Sequence, residues 1–261
     1  MIKTSLPVAA RIVDIADESA AVRTLVLDWS LKAEPGQFVM AWLPGADEKP
    51  FSLVRADPAT LTVARVGPFT AQICALRVGD SLWLRGPLGH GFVLPPQALD
   101  RRQGGILLVA GGYGVAPLHF LAERALAAGW RVSAVIGART AADLVFHRRL
   151  AELGAEVHVT TDDGSLGEQG VATMAADRLI VAGGARRFEA LYACGPEPML
   201  AAVEMLAQVH HVPAQLSYER YMRCGFGVCG SCARDGWLVC SDGPVQCIPA
   251  VEDRTTTEVL L

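Results

Sequence analysis

The sequence predicts a multidomain α+β protein in three parts. These are an antiparallel β-barrel over residues 1–100, an α/β domain on a parallel sheet over 101–212, and a small cysteine-rich module over 213–261. Three observations predict it. Short apolar runs divided by turn residues fill the first hundred positions. Strand-like and helix-like runs alternate through the next hundred. Beyond Val212 helical periodicity stops, and five of the seven cysteines gather there. A chain of 261 residues that is 51% hydrophobic is long enough to bury two or three cores of this size.

In the first part, Val22 to Asp28 and Leu61 to Val66 partly alternate apolar with polar residues. Pro44-Gly45, Gly67-Pro68, Gly79-Asp80 and Gly86-Pro87 supply turns between such runs. Closely spaced short strands with this punctuation predict a small antiparallel barrel. The pattern changes near residue 102. Ile106 to Ala110 is a short apolar run ending in glycines, and Leu118, Leu121, Ala122, Ala125 and Leu126 fall at helical spacing up to a stop at Gly129. Arg131 to Ile136, Glu156 to Thr160 and Ala190 to Ala193 read as further strands, and Pro196 to His210 as a helix. Thr140 and Asp143 have the spacing of a capping box, with Asp in place of Glu or Gln. Strands alternating with helices predict a parallel sheet.

Composition excludes several classes. Charged residues make up 19% of the chain and the net charge is −4, with no basic stripe for nucleic acid and no acidic tail. The N-terminal twenty residues lack the apolar core of a signal peptide. No apolar run reaches the length of about 18 residues that spans a membrane. The chain reads as a soluble cytoplasmic protein. In that setting, an odd count of seven cysteines, five of them clustered near the C-terminus, points to metal or redox chemistry rather than to disulfides.

The cysteines carry the most specific signal. Cys224, Cys229 and Cys232 follow the spacing C-x4-C-x2-C, and Cys240 stands further on. This is the plant-type arrangement for a 2Fe–2S cluster. Two irons need four converging thiolates, three of them from one tightly wrapped loop. Gly225, Gly227 and Gly230 let that loop take positive φ and aim its N–H groups at sulfur. A four-thiolate zinc site is the alternative, but zinc sites usually combine two C-x2-C-like pairs. Here the second pair would be Cys240 and Cys247 at a loose x6 spacing. Cys240 and Cys247 both remain candidates for the fourth ligand. Cys240, where a strand-like run meets a turn, is preferred.

Two glycine-rich turns lie in the α/β part. Gly111, Gly112, Gly114 and Pro117 fall where a strand opens into a helix, the place where a dinucleotide's pyrophosphate meets a helix N-terminus. Pro117 stands where the full fingerprint has its last glycine; a plain tight turn is the alternative. Cys194 and Gly195 lie at a second turn of this kind. Thr160 to Gly167 is a polar loop able to reach a ribose or an amide, or to serve only as surface. The histidines show no metal spacing, and Asp162 and Asp163 suggest no acid–base pair.

Together these pieces resemble the electron-transfer subunit of type B dihydroorotate dehydrogenase, within the ferredoxin–NADP reductase-like superfamily, over essentially the whole chain. The strongest match is Glu219 to Cys232; the Asp242-Gly-Pro-Val turn after Cys240 further favours that residue as fourth ligand. The resemblance implies a flavin barrel, a nicotinamide-nucleotide domain and a 2Fe–2S module. The family's Arg-Pro-x-Ser flavin motif stands here as Lys49-Pro50-Phe51-Ser52, so the planar fork of arginine is missing. Thr70 takes the family's Gly-Thr position with Phe69 replacing glycine, and Ala64, Arg65 and Val66 complete the expected flavin set. The Gly-Pro-x-Gly-x-Gly-Phe turn matches residues 86–92. The implied cofactors are FAD and 2Fe–2S, with NAD as co-substrate; Arg139 is a candidate for a 2′-phosphate contact, although the family prefers NAD. The implied partner is an FMN-containing dihydroorotate dehydrogenase catalytic subunit in a heterotetramer, with electrons passing from its FMN through the cluster and FAD to NAD⁺. Two alternatives are a reductase subunit of a ferredoxin–NADP transhydrogenase or sulfhydrogenase, and a non-enzymatic nucleotide sensor with structural zinc.

Overall fold

The computed structural model describes residues 6–96, 104–183 and 187–250. Its first unit is a closed six-stranded antiparallel barrel. The strands are β1 (Val8–Ser19), β2 (Val22–Leu27), β3 (Phe38–Trp42), β4 (Glu48–Ala56), β5 (Ala59–Ala64) and β6 (Ser81–Leu88), in the order β1-β2-β5-β4-β3-β6. Alternate residues point inward: Leu25 and Leu27 of β2, Leu61 and Val63 of β5, and Leu82 and Leu84 of β6 are all fully buried. Closure leaves no strand edge for another chain to pair with.

The Gly67-Pro68 turn signal proves to be the start of a helix, α1 (Pro68–Ala75). Proline fits a first helical turn, whose N–H has no partner within the helix. Thr70 fastens this turn. Its Oγ1 accepts the N–H groups of Val66 and Gly67, both at 3.0 Å, and donates to the Gly67 carbonyl at 3.1 Å. Phe69, Ile73 and Cys74 then bury one face of α1 against the barrel core.

The second unit is a seven-stranded sheet with β7 (Gly105–Gly111) at its centre. Around it stand β8 (Arg131–Ala138), β9 (Glu156–Thr161), β10 (Glu168–Gln169), β11 (Phe188–Cys194) and β12 (Ala214–Ser217), all parallel. Helices cover both faces. α2 (Val115–Ala127) and α3 (His147–Glu152) pack with Ile106, Leu108 and Ala110 of β7. α4 (Ala172–Gly183) and α5 (Glu197–Val209) pack with its Leu107 and Val109. A central strand buried on both faces therefore reads as the continuous apolar run seen in the sequence. The sequence pattern gives little sign of α4, whose buried face is mostly alanine: Ala172, Ala175 and Ala176, with Ile180. Thr140 caps only a short 3₁₀ turn, and its hydroxyl bonds the Asp143 carboxylate at 3.0 Å instead of closing a capping box onto the backbone.

The sheet runs past residue 212. The last segment contributes β13 (Ala233–Arg234), β14 (Trp237–Leu238) and β15 (Val245–Ile248), and β15 pairs antiparallel with β12 to close the sheet's edge. A division at 212 thus cuts through one hydrogen-bonded sheet. The division at 100 and residues 251–261 lie outside the described residues. Barrel and sheet are tied through α2. Phe120 enters the barrel core, and Glu123 forms an ion pair with Arg55 of β4 at 2.7 Å. No helix among the described residues is long and apolar enough to cross a membrane.

Candidate functional site

The strand order reverses beside β7. The chain runs outward through β8 and β9, then returns to β11 on the other side. Ligands of open α/β sheets bind in the crevice at the carboxyl ends of strands at such a point. Both glycine turns lie there, and they touch. A Cβ on Gly114 would stand 2.2 Å from the Cys194 carbonyl oxygen, and one on Gly195 would stand 3.0 Å from the N and Cα of Gly111. Side chains at these positions would force the two turns apart.

A cavity of about 520 Å³ opens above these turns. Gly111, Gly112, Gly114 and Gly195 form its floor, and Arg139, Asp143 and Asp162 stand on its wall. The loop bearing Asp162 is held from within: Asp163 accepts the Ser165 N–H at 3.0 Å and its hydroxyl at 2.6 Å, and Ser165 Oγ accepts the Ala141 N–H at 2.7 Å. Pro117 does not line this cavity and faces the neighbouring one. Cys194 lines neither. It is buried behind the turn, and desolvation pushes its thiol up to about 12, with the charge of Glu219 adding to the effect.

The neighbouring cavity, about 340 Å³, lies between barrel and sheet. Lys49, Pro50, Phe51 and Ser52 line it from β4, with Ala64, Val66 and Thr70 beside them. Arg65 and Phe69 stand outside the lining. Arg65 is exposed and reaches the Cys74 thiol, while Phe69 is buried under the Lys49 ammonium, 5.8 Å from its ring centre. Lys49 is also paired with Asp47 at 2.7 Å, so a bound anion would compete with that carboxylate.

Tyr113 and Glu219 line both cavities, and Phe38, Tyr218, Tyr221 and Met222 line the second. The sequence motifs mark none of these as a flavin or nucleotide contact. The only sequence signal was the position of Tyr113 inside the glycine turn and of Glu219 at the head of the cysteine segment. Glu219 opens onto the cavities, but protein on its other sides strips much of its hydration, and this desolvation raises its pKa.

The cysteine loop packs against the barrel. Phe38, Met40 and Leu88 form one buried cluster with Met222, Cys232, Val239 and Cys240. Gly225 and Gly227 take φ of +73° and +82°, the left-handed region that favours glycine. The loop's N–H groups then turn toward sulfur. Gly227 donates to Cys240 Sγ at 3.1 Å, and Val228 and Cys229 donate to Cys224 Sγ at 3.4 and 3.5 Å. Cys232 and Cys240 lie 3.2 Å apart at sulfur, both buried. Hydrogen bonds from Ser231 pull the Cys229 thiol down to about 6. Cys247 is exposed on β15, opposite Gln215 in the β12 register.

Among the described residues, no three His, Cys, Asp or Glu side chains come together as a site for one metal ion. The sulfurs fall instead into two pairs, Cys224 with Cys229 and Cys232 with Cys240. Two pairs of soft sulfur ligands, with backbone N–H groups donated to Cys224 and Cys240, fit a cluster of two irons better than one tetrahedral ion.

Barrel, switch-point cleft and paired thiolates define a flavin- and nicotinamide-linked reductase of the ferredoxin-reductase type that carries a 2Fe–2S cluster. A solved NADH-dependent reduced ferredoxin–NADP oxidoreductase has the same architecture, with a TM-score of 0.79 and 30% identity over 95% of this chain and 90% of that one. Residues 219–251 match the iron–sulfur cluster binding domain of dihydroorotate dehydrogenase B, and 108–205 match the oxidoreductase NAD-binding domain. Among curated relatives, one from Methanothermobacter thermautotrophicus is 42% identical, covering 92% of this chain and 89% of its own length. One from Thermococcus kodakarensis is 41% identical, covering 89% and 92%. Both are named as probable dihydroorotate dehydrogenase B (NAD(+)), electron transfer subunit. The chain belongs to this family of electron transfer subunits.

Proposed function

We propose that this chain is the electron-transfer subunit of an NAD-dependent dihydroorotate dehydrogenase of pyrimidine biosynthesis, passing electrons from the FMN of a catalytic partner subunit through its own cluster and FAD to NAD⁺. The observation that carries this reading is shared lining. Tyr113 and Glu219 belong to both cavities, and Phe38 and Met222 belong to both the second cavity and the packed core around Cys232 and Cys240. Three binding places thus adjoin in the order the reaction needs. When bound, FAD supplies the exchange between single electrons on the cluster side and a hydride on the nicotinamide side.

The chain's residues do the holding. Pro50, Phe51, Ser52 and Thr70, with Ala64 and Val66, would seat the flavin, and Lys49 would meet its phosphates after sharing its charge with Asp47. Gly111, Gly112, Gly114 and Gly195 would present N–H groups and open space to the pyrophosphate of NAD(H). Asp143 and Asp162 put carboxylates on the same wall as Arg139, which disfavours an additional 2′-phosphate. Cys224, Cys229, Cys232 and Cys240 would hold the cluster. Val228 and Cys229 stand exposed on the cysteine loop, where the partner would dock. Free thiols throughout the described residues suit the reducing cytoplasm, where we place the protein.

The test is co-expression with an FMN-containing dihydroorotate dehydrogenase catalytic subunit. The expected result is co-purification in a heterotetramer, flavin and iron–sulfur absorption, and dihydroorotate-dependent reduction of NAD⁺. Bound cofactors with no such activity, or purification with a different oxidoreductase, would overturn the assignment in favour of a transhydrogenase-type subunit.

A further inference from the structure

The barrel sends one cationic side chain into the cysteine loop. Arg85 of β6 is largely buried, its side chain 12% exposed. Its Nε and Nη2 donate to the two carboxylate oxygens of Glu48 at 2.6 and 2.7 Å, and Nη2 also donates to the backbone carbonyl of Cys224 at 2.7 Å. The guanidinium stands over the ring of Phe226, 5.6 Å from its centre. Glu48 immediately precedes the Lys49 to Ser52 segment on β4. Arg85 therefore links the strand that lines the flavin cavity to a cluster cysteine. The backbone beside it is tight too: a Cβ on Gly225 would meet Met40 Cγ at 2.9 Å, and Met40 is the register partner of Arg85 across β3 and β6.

We propose that Arg85 is a positioning residue for the 2Fe–2S cluster: it fixes the Cys224 end of the loop against the flavin-side strand and makes the cluster easier to reduce. The fork geometry explains the first role. A carboxylate and a carbonyl are held at once by a planar group with several fixed donors, which lysine cannot copy. Charge explains the second. Arg85 lies between Glu48 and the ligand, so the cation is the nearer charge, and net charge and hydrogen bonding tune cluster potential. The inference rests on the cluster and the flavin cavity and not on the identity of the partner.

The test uses the full chain carrying its cluster and FAD. The cluster midpoint is read by redox titration with the electron paramagnetic resonance signal of the reduced cluster, the FAD midpoint by visible absorption, and cluster retention by bleaching under a chelator. Arg85→Met should lower the cluster midpoint, whether Glu48 stays charged or takes up a proton, and leave the FAD midpoint in place. Cluster loss should be faster by about 10–100-fold, the usual effect of removing a group that orients a metal ligand. Arg85→Lys should restore the midpoint but not the retention. Glu48→Gln should shift the midpoint the opposite way, upward, because it leaves the cation unbalanced. If Arg85→Met fails to fold, this upward shift decides the matter. An unchanged cluster midpoint and signal in Arg85→Met, equal movement of both midpoints, or no upward shift in Glu48→Gln would overturn the proposal.

Discussion

Gly114→Ala is the sharpest test of how the nucleotide cleft is built. Gly114 has φ of −60°, a conformation any residue accepts, so backbone strain plays no part. It is the N-cap of α2, a position where glycine is preferred to alanine, so helix propensity offers alanine no gain. The obstacle is steric. The new Cβ would lie 2.2 Å from the Cys194 carbonyl oxygen and 2.5 Å from its carbon, whereas ordinary contact begins at 3.4 Å. The atoms in the way are backbone, so the turns after β7 and β11 must part by roughly 1 Å rather than a side chain swinging aside. Overpacking of this kind costs about 1–3 kcal/mol. The same movement displaces the N–H groups expected to face the pyrophosphate. The expected outcome is a lower urea midpoint together with NADH binding weakened by about tenfold, equivalent to 1.4 kcal/mol, measured by calorimetric titration. Gly112→Ala is the contrast: φ is +54° with nothing within 4 Å of a new Cβ, so only the left-handed backbone is penalised, by about 1–2 kcal/mol. Unchanged NADH affinity and raised stability in Gly114→Ala would refute the reasoning that the two turns are in obligatory contact.

Three further outcomes are expected. Cys240→Ser should abolish the iron–sulfur absorption while Cys247→Ser keeps it; cluster loss only in the second variant would show that the wrong cysteine was assigned. Burial lowers the pKa of His119 to about 4, with Arg149 and Arg55 lowering it further and Glu123 opposing. A depressed histidine contributes stability that is present above its ordinary 6.5 and lost as pH falls toward about 4. His119→Gln should flatten that part of the stability–pH curve, by roughly 3 kcal/mol at most, as read from denaturant midpoints. Glu219 is raised above its ordinary 4.5, so its contribution is present below 4.5 and lost as pH rises through the raised folded value. Glu219→Gln should remove that loss, and an unaltered curve would show that its carboxylate is better hydrated than its surroundings imply.

Much of the fold was legible because it rests on local rules. Turn residues at short intervals announced the barrel, and the continuous apolar run at Ile106 to Ala110 announced a strand covered on both faces. Gly67-Pro68 reads as a turn in the sequence because the pair serves equally as a turn or a helix start; only the packing of Phe69 and Ile73 into the barrel makes it the start of α1. Helix α4 carries a weak periodic signal, because three of its four buried residues are alanines. The edge strand β15 has no local signature of sheet membership, since its hydrogen-bond partner β12 lies nearly thirty residues earlier.

The sequence by itself determined the cluster chemistry, because ligand spacing and glycine placement are properties of one short loop. It also placed both glycine turns, whose residue types answer to local backbone demands. Only the tertiary structure decided how the sites adjoin. It set Cys240 against Cys232 and left Cys247 on a sheet edge, put Tyr113 and Glu219 on the walls of two cavities at once, and brought Arg85 across 139 residues to a cluster cysteine. Contacts between distant segments depend on how the units pack, and no local pattern of residues encodes them.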